Sequence, residues 1–140
     1  MNTMTIAPGI TNEIIMTVQE TDTARASGGA TLPPVLSTPR MISYMERTAH
    51  EALIPFFSQG QTSVGSEVNI RHMAATPVGM QVRFRAELTS VDRRRMCFKV
   101  EAWDEVDKIG EGQHERFIID EGRFYERLKV KQEKTGQKPA

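Results

Sequence analysis

The chain has 140 residues, enough for one real core but not for two. Lys+Arg and Asp+Glu number 18 each, so no net field draws it to nucleic acid or to an anionic membrane. The opening "MNTMTIAPGI" is no secretory signal, no stretch nears the roughly 20 apolar residues that cross a bilayer, and the lone Cys97 rules out an internal disulfide and a cysteine-based zinc cluster. A soluble cytoplasmic protein is the expectation.

The β-branched run "NEIIMTVQ" (residues 12–19) reads as a first strand. "TDTARASGGATLPP" (residues 21–34) is rich in Gly, Ser, Thr and Pro and reads as a long loop, either a lid or a linker. "STPRMISYMERTAHEALIPFF" (residues 37–57) is one helix. Thr38 supplies a hydroxyl cap, Pro39 takes the first helical position, and Pro55 helps end the helix near Phe57. Beyond it the period changes from helical to alternating. In "TSVGSEVNIRHM", Val64, Ser66, Val68, Ile70 and His72 share a face; "ATPVG" is a turn; "MQVRFRAELTSV" alternates as a half-buried strand. "DRRR" is the next turn, and "MCFKVEAWDEV" and "QHERFIID" are two further strands separated by the turn "DKIGEG". The last thirteen residues carry four lysines against one glutamate and are expected to fray. The organisation is one domain over residues 1–126 and a basic, flexible tail over 127–140. An amphipathic helix and about five antiparallel strands imply an α+β layer fold, a curved sheet around a long central helix.

One residue in the helix breaks the pattern. At about 100° per residue from Ile42, the apolar positions Ile42, Met45, Ala49, Ala52, Leu53, Phe56 and Phe57 span an arc from roughly −80° to +60°. Glu46 falls inside that arc, near +40°. A carboxylate there bends out to water, pairs with an inward arginine, or works in a cleft; a desolvated carboxyl group suits proton transfer or activation of water. His72 ends an otherwise apolar strand face, either as a satisfied core histidine or as an acid–base group. Thr38 is sufficient as a cap, and a helix N-terminus also offers amides to a developing oxyanion. Thr38 and Glu46 are about 12 Å apart along the helix axis, so either substrate and His72 bridge them or a second subunit completes the site. An open sheet with an edge to cover favours a site at a dimer interface.

Thr38, Glu46 and His72, within "STPRMISYMERTAHEAL" and "TSVGSEVNIRHMAATPVGM", together with "VEAWDEVDKIGEGQHERFII", resemble the hot-dog-fold thioesterases of the fluoroacetyl-CoA thioesterase type, over residues 36–119. The resemblance implies a hot-dog fold, a homodimer or dimer of dimers, and hydrolysis of a small acyl-CoA in which coenzyme A is part of the substrate and no cofactor is used. It makes Thr38, Glu46 and His72 the catalytic set: Glu46 attacks or activates water, His72 is acid–base and stabiliser, and Thr38 orients the thioester and its oxyanion. Gly65 brings backbone close to the acyl group, and Arg116 lies near the substrate. The fluoroacetyl-specific enzyme has phenylalanines in its lid, whereas "TARASGGATLPP" has no aromatic residue; a general short-chain acyl-CoA is the substrate expected. A hot-dog hydratase or dehydratase and a non-catalytic acyl-CoA binder are the alternatives. "DRRR" is either a solvated turn or a greeting for CoA phosphates. His50 and His114 lack a ligand companion at useful spacing, so no metal site is expected.

Overall fold

The computed structural model describes residues 5–136. Five strands, β1 (Thr11–Thr17), β2 (Gln61–His72), β3 (Gln81–Asp92), β4 (Arg95–Trp103) and β5 (Lys108–Asp120), form one antiparallel sheet in the order β1-β3-β4-β5-β2. Three helices accompany them: α1 (Ala24–Gly28), α2 (Thr38–Leu53) and α3 (Glu121–Glu133), with a 3₁₀ turn, Ile54–Phe56, closing α2 at Pro55. The α+β architecture is the expected one. No helix among the described residues is long and apolar enough to cross a membrane.

The sheet is apolar on the face that meets α2. Val82, Phe84, Ala86 and Leu88 of β3 and Met96, Phe98, Val100 and Ala102 of β4 are all buried there. Burying a Phe or Met of this kind stabilises the fold by roughly 1.5–3 kcal/mol per side chain. From α2 come Met41, Met45, Ala49, Ala52 and Leu53. One flank of the helix is pinned to the β1/β3 side: Asn12 Nδ2 donates to the Thr48 carbonyl at 3.1 Å, and the Tyr44 and Phe84 rings stack at 5.5 Å. β2 lies at the far edge of the sheet, twelve residues long and largely exposed, with Val68 46% accessible.

Several local expectations are corrected. The N-cap of α2 is Ser37, whose hydroxyl accepts from Arg40 N at 3.2 Å; Thr38 is already helical and its hydroxyl is released from capping. The buried stripe centres on Met41, Met45, Thr48 and Ala52 rather than on half-buried Ile42, which moves Glu46 from the stripe to its flank, with a side chain 38% exposed. The loop after β1 is folded: Thr23 caps the short α1 by accepting from Ala26 N, and buried Asp22 holds Arg40 at 2.7 Å. "GEG" is not a turn but part of β5. A Cβ on Gly112 would lie 2.0 Å from the Asn69 carbonyl oxygen, so glycine is what lets β2 and β5 pair there. The last residues of the chain are helical as far as Glu133, because Arg, Glu, Lys, Leu and Gln are good helix formers; residues 137–140 of the expected tail lie outside the described residues.

The most consequential correction is a β-bulge. The β2–β5 register runs Gly65↔Arg116 and then Glu67↔Glu115, so Ser66 is an extra residue. Ser63 and Gly65 face the helix before the bulge, and Val68, Ile70 and His72 face it afterwards; Val64 is turned to the other face, opposite Phe117. The face assigned by simple alternation therefore fails at Ser66.

Candidate active site

Two clusters form where β2 meets α2. The first lies at the helix N-terminus. Thr38 Oγ1 and His72 Nδ1 are 2.7 Å apart, and His72 Nε2 is enclosed with no hydrogen-bond partner. Burial lowers the His72 pKa, which keeps the ring neutral near pH 7. The pair forms part of the wall of a cleft of about 360 Å³ bounded by Ala24 and Pro33 of the loop and by Met73 and Ala74 after β2. Pro39 has no N–H, Arg40 N is used by Ser37 Oγ and Met41 N by the Ser37 carbonyl, so the Thr38 N–H remains as the first-turn donor beside its own hydroxyl.

The second cluster lies two turns along the helix. Glu46 Oε1 is 3.9 Å from both His114 Nε2 and Arg116 Nη1, and it sits directly over Gly65, where a Cβ would come within 2.7 Å of it. Arg116 is buried and directs its N–H groups at neutral partners: Nε donates to Ser63 Oγ at 2.7 Å, Nη2 to the Ser63 carbonyl at 3.1 Å, and Nη1 to His114 Nε2 at 3.0 Å. The His114 tautomer follows, because its Nδ1–H must donate to the Glu67 carbonyl at 2.8 Å, leaving Nε2 as the acceptor. Burial lowers the His114 pKa, and the neighbouring Arg116 pushes in the same direction against Glu46. Ser63 Oγ also meets His50 Nδ1 at 2.7 Å; burial, reinforced by the Arg116 charge, lowers the pKa of His50 as well. Glu46 itself makes no hydrogen bond among the described residues. Its nearest charged neighbour is the Arg116 guanidinium, at 3.9 Å.

Of the residues expected from sequence, Thr38 and His72 are brought together, and so are Glu46, Gly65 and Arg116. Among the described residues no hydrogen bond or ion pair joins the two groups. The imidazole beside Glu46 is that of His114 rather than that of His72. The arginine beside Glu46 partly bears out the ion-pair alternative, although 3.9 Å is too long for a direct hydrogen bond. His114, Ser63 and His50 were not singled out as site residues. The alternation of Gln113, His114, Glu115 and Arg116 along β5 placed His114 and Arg116 on one face, and that was the available signal. Among the described residues no group of three or more His, Cys, Asp and Glu is placed to hold a metal ion.

Comparison with known proteins decides the family. The model of the fluoroacetyl-CoA-specific thioesterase FlK matches residues 18–122. The chain belongs to the fluoroacetyl-CoA-specific thioesterase family. A fluoroacetyl-CoA thioesterase of Streptantibioticus cattleyicolor is 39% identical over 102 residues, covering 73% of each chain. A solved structure of FlK is 33% identical with a TM-score of 0.86, over 91% of this chain and 98% of that one, and FlK variants have been solved with acetyl-CoA and with fluoroacetate and CoA. A Thermus thermophilus member of the thioesterase superfamily is 30% identical, with a TM-score of 0.84 over 92% of this chain and 97% of that one. This thioesterase family member is a thioester hydrolase on the hot-dog fold, as the resemblance implied.

Proposed function

We propose that the protein hydrolyses a small or short-chain acyl-CoA at a site built from Thr38 and His72 of one subunit and Glu46 of another. The observation that carries this reading is the 2.7 Å Thr38–His72 pair at the N-terminus of α2, with an imidazole nitrogen enclosed and unpartnered. Thioester hydrolysis needs three services: a place for the oxyanion, a group that activates water, and a proton for the leaving thiolate. The Thr38 hydroxyl and N–H, at the positive end of the helix, supply the first. Glu46, free of hydrogen bonds and steadied by Arg116, takes the proton of the attacking water as its oxygen bonds to the carbonyl carbon. The C–S bond then breaks, and the proton taken up by Glu46 passes by way of His72 to the thiolate, which restores the carboxylate and gives the free acid and CoA.

The separation of the two clusters supports a two-subunit site. β2 carries both Gly65 and His72 and is a long sheet edge open to pairing. Pairing two such edges about a two-fold axis supplies the missing half-site twice and makes the homodimer the working unit. Coenzyme A arrives as part of the substrate, and no further cofactor enters the reaction. A CoA substrate and one free cysteine, Cys97, fit a cytoplasmic protein. FlK variants hold acetyl-CoA and fluoroacetate, but the loop over residues 23–34 brings no aromatic side chain to grip fluorine, so acetyl- and other small acyl groups are the substrates expected here.

The test is thiol release from a panel of acyl-CoAs by the wild type, by Glu46→Ala, by His72→Ala and by a refolded mixture of the two variants. Each variant alone should be inactive, and the mixture should recover about a quarter of wild-type activity, since half the dimers are mixed and each of those holds one intact site. A mixture as dead as its parents would show that Glu46 and His72 act within one subunit.

A further inference from the structure

We propose that His50 is a positioning residue for the reaction: it accepts the hydroxyl proton of Ser63 and so fixes the Arg116 guanidinium beside Glu46, an inference that rests on the acyl-CoA hydrolase reading above. Three elements meet at the Ser63 hydroxyl. Arg116 Nε of β5 donates to Ser63 Oγ of β2 at 2.7 Å, so that oxygen is an acceptor there and its own proton needs a partner elsewhere. Among the described residues the partner within reach is His50 Nδ1 of α2, also at 2.7 Å. Ser63 is buried, and a buried hydroxyl left without its acceptor is costly. The protons therefore run from Arg116 Nε to Ser63 Oγ and from Ser63 Oγ to His50 Nδ1, which puts the imidazole proton on Nε2. This order needs a neutral ring, which burial and the Arg116 charge favour against the opposing pull of Glu51.

The geometry carries this order through to Glu46. Arg116 gives Ser63 one whole edge of its guanidinium, Nε to the hydroxyl and Nη2 to the carbonyl at 3.1 Å. The group is planar and rigid, so holding that edge fixes Nη1, which lies 3.0 Å from His114 Nε2 and 3.9 Å from Glu46 Oε1. His50 follows Glu46 by one helical turn, so α2 presents the acid and its support to the same pair of strands. The His50 ring also packs against Phe57, with centroids 5.7 Å apart, and does not depend on Ser63 alone for its place. Without the His50 acceptor the Ser63 hydroxyl is free to turn, and the anchor at Arg116 Nε loosens while both strands stay where they are.

The experiment combines kinetics with NMR. Thiol release from the acyl-CoA panel is measured for the wild type, His50→Leu, His50→Asn, Ser63→Ala and the double variant His50→Leu/Ser63→Ala. Two-bond nitrogen–proton spectra report which imidazole nitrogen of His50 is protonated, and proton exchange is followed at Arg116 Nε. His50→Leu, which can still pack against Phe57, should lower kcat about three- to tenfold, the worth of one hydrogen bond, and move KM by less than about twofold. His50→Asn, whose side-chain oxygen can stand near the position of Nδ1, should bring kcat back to within about twofold of the wild type. The double variant should be no slower than Ser63→Ala alone, because both substitutions cut one chain. The wild type should show His50 with a bare Nδ1 and a protonated Nε2, and Arg116 Nε–H should exchange faster in His50→Leu. A wild-type kcat in His50→Leu, an asparagine variant as slow as the leucine one, losses that multiply in the double variant, or a proton found on His50 Nδ1 would each overturn the proposal. If the wild type releases no thiol from any acyl-CoA, the hydrolase reading falls, and the His50 tautomer and the Arg116 exchange still decide the hydrogen-bond chain.

Discussion

Gly65→Ala should separate catalysis from stability in a single methyl group. The added Cβ would stand 2.7 Å from Glu46 Oε1, 3.2 Å from His114 Cε1 and 3.3 Å from Arg116 Nη1. Ordinary van der Waals contact begins near 3.4 Å, so the carboxylate must retreat by about 0.7 Å. Its carrier is a flexible side chain, 38% exposed and without hydrogen bonds, so the retreat costs the fold little. The chemistry is less forgiving: misplacing a reacting group by about 1 Å can cost on the order of 10²-fold in rate. We therefore expect kcat/KM to fall by roughly 30- to 100-fold, with a change in unfolding free energy under about 1 kcal/mol. Thiol release from acetyl-CoA and denaturant unfolding on the same preparation measure both. Gly110→Ala is the contrast, since its Cβ would meet Met41 Sδ at 2.6 Å and Met45 Cε at 3.1 Å inside the core, where overpacking costs typically 1–3 kcal/mol. A Gly65→Ala enzyme with wild-type activity would refute the placement of Glu46 at the reaction centre. One that unfolds as readily as Gly110→Ala would refute the freedom assigned to its side chain.

Neighbouring hydroxyls at the start of α2 should show opposite effects: Ser37→Ala loses the cap and about 1 kcal/mol of stability while keeping its active-site partners, whereas Thr38→Ala keeps the fold and loses kcat, as read by thermal unfolding and thiol release. His114→Leu leaves the Arg116 Nη1 donor without its acceptor and should lower kcat well below that of His114→Gln, whose amide can both donate and accept; equal kcat in the two variants would remove His114 from the support of Arg116. His50, His72 and His114 all have pKa values lowered by burial, so each takes a proton more readily when unfolded, and stability should fall as pH drops below the ordinary 6.5; denaturant midpoints at pH 7.5 and 5.5 that coincide would contradict this.

Strands β3 and β4 were readable because their apolar residues alternate onto one face from Val82 to Leu88 and from Met96 to Ala102, the one buried residue of the outer face of β4 being Glu101, which is covered by its ion pair with Lys108. The helix was readable from its period, but its rotation was off: apolar Ile42 is only half-buried, while Thr48, polar by composition, hides its hydroxyl by donating to the Tyr44 carbonyl at 2.7 Å. That rotation explains why Glu46 seemed deeper than it is. The catalytic candidates were legible as residues and less so as neighbours. His114 could be placed beside Glu46 only by knowing that β5 sits next to β2 at the sheet edge, a pairing that no local pattern states. Loop residues 24–28 and α3 were missed for a related reason, since turn-forming composition conceals a short helix and lysine-rich composition conceals a surface one.

The extra residue at Ser66 has a consequence that no side-chain replacement can imitate. Removing it would restore strict two-residue periodicity with Ser63, Gly65, Val68, Ile70 and His72 all still turned towards the helix, because the register with β5 already skips this residue. A one-codon deletion at this point would thus regularise the edge strand, give up the Ser66 bonds to Glu115 and leave both clusters on one side of the sheet.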